Sequence, residues 1–149
     1  MLVVGDIRHS RVARSNLKLL AMLGVGELRV AAPPALQAPE LATAGVRLFD
    51  RLDPALEGCD VVMALRLQTE RMAAASIPDT AAYFRDWGLT TARMALARPG
   101  AIVMHPGPMN REVEIASGVA DGPAAVIWDQ VGNGVALRMA VLEAITPPP

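Results

Sequence analysis

The stretch Asp60-Val61-Val62-Met63-Ala64-Leu65-Arg66-Leu67-Gln68 begins as an unbroken apolar run and ends in polar side chains. A short, β-branched run of this kind is typical of a strand buried on both faces, as in a parallel sheet. In an open α/β sheet, ligands bind where loops leave the carboxyl ends of the strands. The stretch therefore predicts a core strand, residues 60–65, that leads directly into a ligand-binding loop.

Two other segments repeat this arrangement. Residues 2–4 form an apolar run before the polar loop that ends at Arg11, and residues 101–104 precede the turn His105-Pro106-Gly107-Pro108. Because a guanidinium can grip a carboxylate with two parallel hydrogen bonds, the arginines of two such loops favour a small ligand with two carboxylates. We therefore expect the three loops to share one pocket.

Between these segments, β-rich runs alternate with helical patterns. Strands are predicted at residues 2–4, 27–31, 46–49, 60–65 and 101–104, and helices at residues 11–23, 53–57, 90–97 and 131–145. The inner face of the first helix is expected to carry Val12, Leu19, Leu20 and Leu23, Thr90 should cap its helix, and Gly132-Asn133-Gly134 should start the last helix. The alternation predicts a single α/β domain with a doubly wound, mostly parallel sheet, a Rossmann-like three-layer sandwich.

The composition argues against several classes of protein. The 149 residues carry a net charge of −1 without a basic stripe, so nucleic-acid binding has little electrostatic support. No apolar run reaches the roughly 18 residues that a membrane crossing needs. The single cysteine, Cys59, excludes an internal disulfide framework and fits a cytoplasmic location. We expect no metal, because His105 lacks a partner at ligand spacing, and no dinucleotide cofactor, because no GxGxxG motif occurs.

Arg11 and Arg66 each have a functional and a structural interpretation. Arg11 opposes the helix dipole at the start of its helix, a conflict typical of functional sites, but it could instead be a solvated partner of Asp6. Arg66 and Gln68 point to the same side of an extended backbone, where they could bind a carboxylate and a second polar group. The alternative is that Arg66 is structural, with Glu70 and Arg71 pairing with neighbours at the start of a helix.

The other polar segments are also ambiguous. In His105-Pro106-Gly107-Pro108 the prolines fix the backbone and leave carbonyl oxygens without local donors, which suits an ammonium or amide ligand. His105 alone is more often a satisfied core histidine. Residues 69–88 follow a predicted ligand-binding loop and interrupt the alternation of strands and helices. We interpret them either as a mobile lid or as an ordinary surface excursion.

Four segments in order resemble the C-terminal, aspartate-binding domain of the aspartate carbamoyltransferase family. They are VGDIRHSRVARS at residues 4–15, DVVMALRLQTERM at 60–72, MHPGPMNREVEI at 104–115 and QVGNGVALRMAVL at 130–142. The sister ornithine enzymes usually carry a cysteine-containing turn in place of His-Pro-Gly-Pro and lack Arg-x-Gln after the fourth strand, so both features favour aspartate. Gly107 stands where some relatives have leucine, which affects side-chain contacts but not the carbonyls.

The resemblance implies a site and a reaction. Arg11 and Arg66 would bind the two carboxylates of L-aspartate, with Gln68 beside Arg66, and the backbone of Pro106, Gly107 and Pro108 would contact the carbamoyl group. The implied products are N-carbamoyl-L-aspartate and phosphate, made from carbamoyl phosphate in pyrimidine biosynthesis without a cofactor. The implied assembly is a cytoplasmic homotrimer of the full-length subunit, with a possible dihydroorotase-type or regulatory chain.

One departure from the family bears on activity. Its Ser-Thr-Arg-Thr loop and His-Pro-x-Gln segment do not occur here, and residues 2–4 enter a core strand at once. We therefore expect the whole of residues 1–149 to form the aspartate-binding domain, without the N-terminal carbamoyl-phosphate domain, and to be inactive alone. The alternative is a non-catalytic homologue that serves as a structural or assembly module.

Overall fold

Five short parallel strands form the centre of the molecule. The structure is a computed structural model that describes residues 1–72 and 79–146. The strands are β1 (Leu2–Val4), β2 (Arg29–Ala31), β3 (Arg47–Phe49), β4 (Val61–Ala64) and β5 (Ile102–Met104). They pair in the order β3-β2-β1-β4-β5, and every pairing is parallel. Each predicted strand is present, trimmed by up to two residues at its ends.

Helices cover both faces of this sheet. They are α1 (Arg11–Met22), α2 (Leu52–Leu56), α3 (Thr80–Trp87), α4 (Thr91–Met94), α5 (Ser117–Ala120) and α6 (Ile127–Ile145). Short 3-10 turns lie at Pro34–Leu36, Pro39–Ala44 and Thr69–Arg71. The predicted α/β architecture, one domain with a parallel sheet between helical layers, is confirmed.

The strand order decides where a ligand can bind. The chain adds strands outward from β1 to one side, then returns to place β4 against the other side of β1. At such a reversal the loops after the two neighbouring strands diverge to opposite faces and leave a crevice. The loops that follow β1 and β4 therefore flank one opening, with the loop after β5 beside them.

Alternate strand residues supply two separate cores. Val3 and Met63 point to the face covered by α1 and Tyr83 of α3, whereas Val4 and Val62 point to the face covered by α2 and α5. These four strand side chains are at most 3% exposed. Burial on both faces explains why the strands read as continuous apolar runs rather than as alternating patterns.

The predicted inner face of α1 is wrong in part. The structure buries Ala13 and Leu17, with Leu20 half-buried beside them, because these residues follow the i, i+4, i+7 spacing of one helix face. Of the four predicted residues, Val12 and Leu20 pack against the core, whereas Leu19 and Leu23 are 52% and 70% exposed. Small Ala13 carried too weak a hydrophobic signal to fix the face.

The two later helices also differ from prediction. α6 begins at Ile127 rather than at residue 131, so Gly132-Asn133-Gly134 lies inside it and does not start it. The predicted helix 90–97 is helical only over α4, although Thr90 caps it by accepting the N–H of Arg93 at 3.3 Å. After α4 the chain makes a tighter turn of the 3-10 type, because the N–H of Leu96 donates to the carbonyl of Arg93, three residues earlier.

The stretch interpreted as a lid or a surface excursion is partly a packed helix. Asp79 caps α3 by accepting the N–H of Ala82 at 2.7 Å, and Tyr83 of this helix is 3% exposed within the core. A helix anchored by a buried aromatic side chain belongs to the body of the domain. The remainder of the segment, residues 73–78, lies outside the described residues.

Candidate functional site

The loops after β1, β4 and β5 meet around one cleft of about 270 Å³. Its walls are formed by Ser10, Arg11, Val12, Leu65, Arg66, Gln68, Arg71, Pro106, Gly107 and Pro108. The six residues that were predicted from the sequence to contact substrate are all among them: Arg11, Arg66, Gln68, Pro106, Gly107 and Pro108. These residues are far apart in the sequence but lie close together, because a parallel sheet brings the carboxyl ends of neighbouring strands to one edge.

Arg11 reaches this cleft from the first residue of α1. Ser10 caps that helix by accepting the N–H of Ala13 at 3.1 Å, which places Arg11 at the helix start as predicted. Its side chain is exposed and forms no ion pair or hydrogen bond with the residues that the structure describes. The guanidinium is therefore available to an anion from solution.

The alternative pairing of Arg11 with Asp6 is not made. Asp6 is fully buried, and its Oδ1 accepts hydrogen bonds from the backbone N–H of His9 at 3.2 Å and from His9 Nδ1 at 2.8 Å. Its Oδ2 accepts the backbone N–H of Gln68 at 3.3 Å. Asp6 thus ties the β1 loop to the β4 loop and leaves Arg11 free.

Arg66 has a partner of its own. Its Nη1 donates to Glu70 Oε2 at 3.1 Å, and its Nη2 donates to Glu70 Oε1. The hydrogen bonds to Glu70 raise the pKa of Arg66 and lower the pKa of Glu70. Of the five N–H donors of a guanidinium, Glu70 takes two, so Arg66 keeps three donors for another acceptor. The Arg66 side chain is 27% exposed and Glu70 is 51% exposed, so both remain accessible to solvent, and Arg66 lines the cleft.

Gln68 and the Pro106–Pro108 turn supply uncharged polar groups. Within the described ranges, the side-chain amide of Gln68 makes no hydrogen bond, and no carbonyl of Pro106, Gly107 or Pro108 accepts one. The turn itself is held by Gly107, whose φ is 67° and whose N–H donates to the ring Nδ1 of His105 at 2.9 Å. The cleft therefore offers an amide and free carbonyls beside its cations.

Sequence reasoning gave Arg71 only a structural interpretation and missed it as the third arginine of the cleft. Arg71 lines the cleft, and its Nη1 donates to the carbonyl of His9 at 2.9 Å. This hydrogen bond connects the loop after β4 to the loop after β1. The Arg66–Glu70 pair has i, i+4 spacing, a signal that was present in the sequence. No comparable signal marked Arg71, because its contact joins residues 62 positions apart.

Neither a metal site nor a membrane-spanning helix is found within the described ranges. Residues 1–72 and 79–146 hold no group of three or more His, Cys, Asp or Glu side chains placed to bind a metal ion. No helix in the same ranges has the length and apolar character that crossing a bilayer would require.

Comparison with solved structures identifies similar proteins whose chains are about twice as long as this one. Aspartate transcarbamoylase from Trypanosoma cruzi in complex with N-(phosphonacetyl)-L-aspartic acid is 35% identical, with a TM-score of 0.79 over 98% of this chain and 49% of that one. Ornithine carbamoyltransferase from Pyrococcus furiosus is 25% identical, with a TM-score of 0.80 over 95% of this chain and 47% of that one. The ornithine enzyme from Burkholderia thailandensis is also 25% identical, with a TM-score of 0.77 over 95% and 46%. The chain thus spans about half the length of these proteins.

The family assignment follows from sequence as well as from structure. Residues 1–145 match the family model of the aspartate/ornithine carbamoyltransferase Asp/Orn-binding domain. This match covers nearly the whole chain and includes every loop of the cleft. The chain belongs to the aspartate/ornithine carbamoyltransferase family, in which it corresponds to the Asp/Orn-binding domain.

Proposed function

We propose that this chain is the aspartate-binding half of a carbamoyltransferase that makes N-carbamoyl-L-aspartate and phosphate from L-aspartate and carbamoyl phosphate. The observation that carries the proposal is the meeting of Arg11 and Arg66 in one cleft with free backbone carbonyls. The proposed aspartate contacts are Arg11, Arg66 and Gln68. In this proposal the reaction belongs to pyrimidine biosynthesis.

The charge of the cleft supports a dicarboxylate as the ligand. Arg11, Arg66 and Arg71 bring three guanidinium groups to its wall, and Glu70 offsets part of this charge. Charge-assisted hydrogen bonds to carboxylates are roughly twice as strong as neutral ones. Two carboxylates on one small molecule can engage Arg11 and Arg66 together, whereas a single carboxylate uses only one of them.

The same charge supports aspartate over ornithine. The side-chain ammonium of ornithine would lie among guanidinium groups, and like charges at short distance repel one another. The β-carboxylate of aspartate would instead find free donors. The Trypanosoma cruzi aspartate enzyme is 35% identical to this chain, against 25% for the Pyrococcus furiosus ornithine enzyme, and this difference points in the same direction.

The proposed chemistry needs positioning rather than an enzyme nucleophile. The aspartate amine attacks the carbonyl carbon of carbamoyl phosphate, a C–N bond forms, the C–O bond to phosphate breaks, and the amine loses a proton. The carbonyls of Pro106, Gly107 and Pro108 would accept hydrogen bonds from the amine and from the carbamoyl NH₂ group. Correct orientation of two reactants can supply roughly 7–11 kcal/mol of the barrier reduction.

A second half is part of the proposal. The solved relatives are about twice as long, and α6 exposes a largely apolar surface in which Trp128 is 83% and Leu137 is 68% exposed. We propose that a carbamoyl-phosphate-binding domain covers part of this surface and brings the acceptor to the cleft, within a homotrimer of the full-length subunit. Residues 1–149 alone would then have no carbamoyltransferase activity.

The exposed face of α6 is also the one observation that favours a purely structural role. A non-catalytic homologue would use that face for assembly and would not need a charged cleft. Binding of aspartate therefore separates the two functions, because an assembly module has no use for an amino-acid ligand.

Titration of the ¹⁵N-labelled chain with L-aspartate, followed by NMR, tests the proposal. We expect saturable shifts of the backbone amides of Gln68 and Gly107, and much weaker shifts with L-ornithine. Because a hydrogen bond to a charged group contributes about 1.5–3 kcal/mol, Arg66→Ala and Arg11→Ala should each weaken aspartate binding about tenfold or more. NMR suits the experiment because it detects the weak binding expected of one half of a site.

Arg98→Ala is the matched control. Arg98 is an exposed arginine paired with Asp60 at 2.7 Å, and it lies outside the cleft walls. This variant should bind aspartate like the wild type. Equal binding of ornithine and aspartate, or Arg66→Ala binding as tightly as Arg98→Ala, would contradict the proposal.

A further inference from the structure

A buried polar pair lies directly behind the Pro106–Pro108 turn. His105 is 0% and Glu114 is 2% exposed, and His105 Nε2 is 3.4 Å from Glu114 Oε1. Both side chains also have a buried polar atom, His105 Nε2 and Glu114 Oε2, without a hydrogen-bond partner among the described residues. Burying polar atoms without hydrogen-bond partners costs stability, so stability alone does not account for the pair.

The hydrogen bond at Nδ1 fixes the tautomer of the His105 ring. Nδ1 accepts the N–H of Gly107 at 2.9 Å, so Nδ1 carries no proton. In the neutral ring the proton is then on Nε2, the atom that faces the carboxylate of Glu114. The opposite tautomer would place an N–H against the N–H of Gly107 and break this contact.

The pair also closes the segment that contains the turn. Glu114 Oε1 accepts the N–H of Asn110 at 2.5 Å, and the N–H of His105 donates to Gln130 Oε1 at 3.0 Å. The two ends of residues 105–114 are therefore fixed at one buried point, and the turn projects from it into the cleft. The charge of Glu114 also acts on Arg66, where it adds to the larger effect of Glu70 in raising the pKa of that arginine.

We propose that His105 is a positioning residue. Its ring faces Glu114 with a protonated Nε2, and its Nδ1 fixes the Gly107 N–H and so turns the Pro106–Pro108 carbonyls toward the cleft. The effect of this pair on ligand binding rests on the proposed function. The tautomer and the hydrogen bond to Gly107 do not, and they can be measured without any ligand.

The tautomer is read from ¹⁵N NMR of the histidine rings in the wild-type chain. The chain has 2 histidines, and His9 uses its Nδ1 toward the carboxylate of Asp6 at 2.8 Å, so His9 should carry its proton on Nδ1. His9→Gln assigns the two signals. We expect opposite tautomers for the two rings, and an Nδ1-protonated His105 or a mixture of both forms would overturn the proposal.

Substitutions then separate positioning from packing. The side-chain oxygen in His105→Asn can replace Nδ1 as the acceptor for Gly107, whereas His105→Ala cannot. The Gly107 amide signal should move in His105→Ala and return most of the way in His105→Asn. Aspartate binding should fall about tenfold in the first variant and recover in the second. Equal amide shifts in the two variants would overturn the proposal.

The readouts keep the two proposals distinct. If the wild-type chain bound no aspartate, the proposed function would fail, while the ring tautomers and the Gly107 signal would still decide the role of His105. If aspartate bound normally to His105→Ala, the positioning role would fail and the proposed function would stand.

Discussion

The carboxylate of Asp6 accepts the backbone N–H of Gln68 at 3.3 Å and so joins two loops that are 62 residues apart in the sequence. The same carboxylate accepts two hydrogen bonds from His9, and it is fully buried. Arg11 and Arg66 both line the cleft, and they belong to the two segments that this link joins. The spacing of the two cleft arginines therefore depends in part on the buried side chain of Asp6, which is not itself part of the cleft wall.

Replacing Asp6 with alanine should destabilise the domain. The change leaves the N–H of Gln68 and the His9 donors without their acceptor, and we expect the free energy of unfolding to fall by about 2–4 kcal/mol. Urea denaturation followed by circular dichroism measures this loss. Asp60→Ala is the control, since Asp60 is 64% exposed and pairs only at the surface. A loss in Asp6→Ala no larger than in this control would show that the link carries no stability.

Gly5 and Gly132 should respond oppositely to alanine. Gly5 has a φ of 124°, and a Cβ there would lie 2.6 Å from the carbonyl oxygen of Leu65, so Gly5→Ala should cost at least about 2 kcal/mol of stability. Gly132 lies within α6, and among the described residues no atom beyond its chain neighbours and the adjoining helix backbone lies within 4 Å of an added Cβ. Gly132→Ala should stabilise the helix by up to about 1 kcal/mol. Thermal unfolding of both variants checks the prediction, and equal shifts would contradict it.

The sequence predicted the sheet well because its strands are buried on both faces. Residues 60–65 and 101–104 read as continuous apolar runs, and each is followed at once by a polar loop. Because parallel strands end at one edge, the position of the cleft followed from the alternation of strands and helices. Arg11, Arg66 and Gln68 were predicted from this logic and lie together in the cleft. Their binding role stays a prediction.

Long-range contacts could not be predicted in the same way. The face of α1 depends on small Ala13, and the extent of α6 depends on helix that is almost entirely exposed, where packing gives no signal. The link from Asp6 to Gln68 and the pair of His105 with Glu114 join positions that no local pattern relates. Local spacing indicated only the Arg66–Glu70 pair.

Acid should weaken the domain in part through Glu27. Hydrogen bonds from Arg29, and then from Arg47, lower the pKa of Glu27 from 4.5 to about 2. A carboxyl whose pKa is lower in the folded state than in the unfolded state stabilises the fold at pH values above the unfolded-state pKa. This contribution is lost as the pH falls from about 5 through about 2. Glu27→Gln should therefore show a flatter decline of unfolding free energy than the wild type over this window. Glu143→Gln, an exposed carboxylate on α6, is the control, and identical pH profiles for the two variants would contradict the role of Glu27.

Alkali should unfold the domain through Tyr83, the only tyrosine in the chain. Burial, reinforced by the charges of Glu114 and Asp6, raises the pKa of Tyr83 well above its ordinary value of 10.0. The folded chain thus keeps the phenol neutral while the unfolded chain ionises, so stability is full below pH 10 and falls as the pH rises beyond it. Phenolate absorbance should appear only together with loss of the circular dichroism signal, and Tyr83→Phe should unfold at higher pH. Phenolate formation in a chain with native circular dichroism would show that Tyr83 is accessible to solvent.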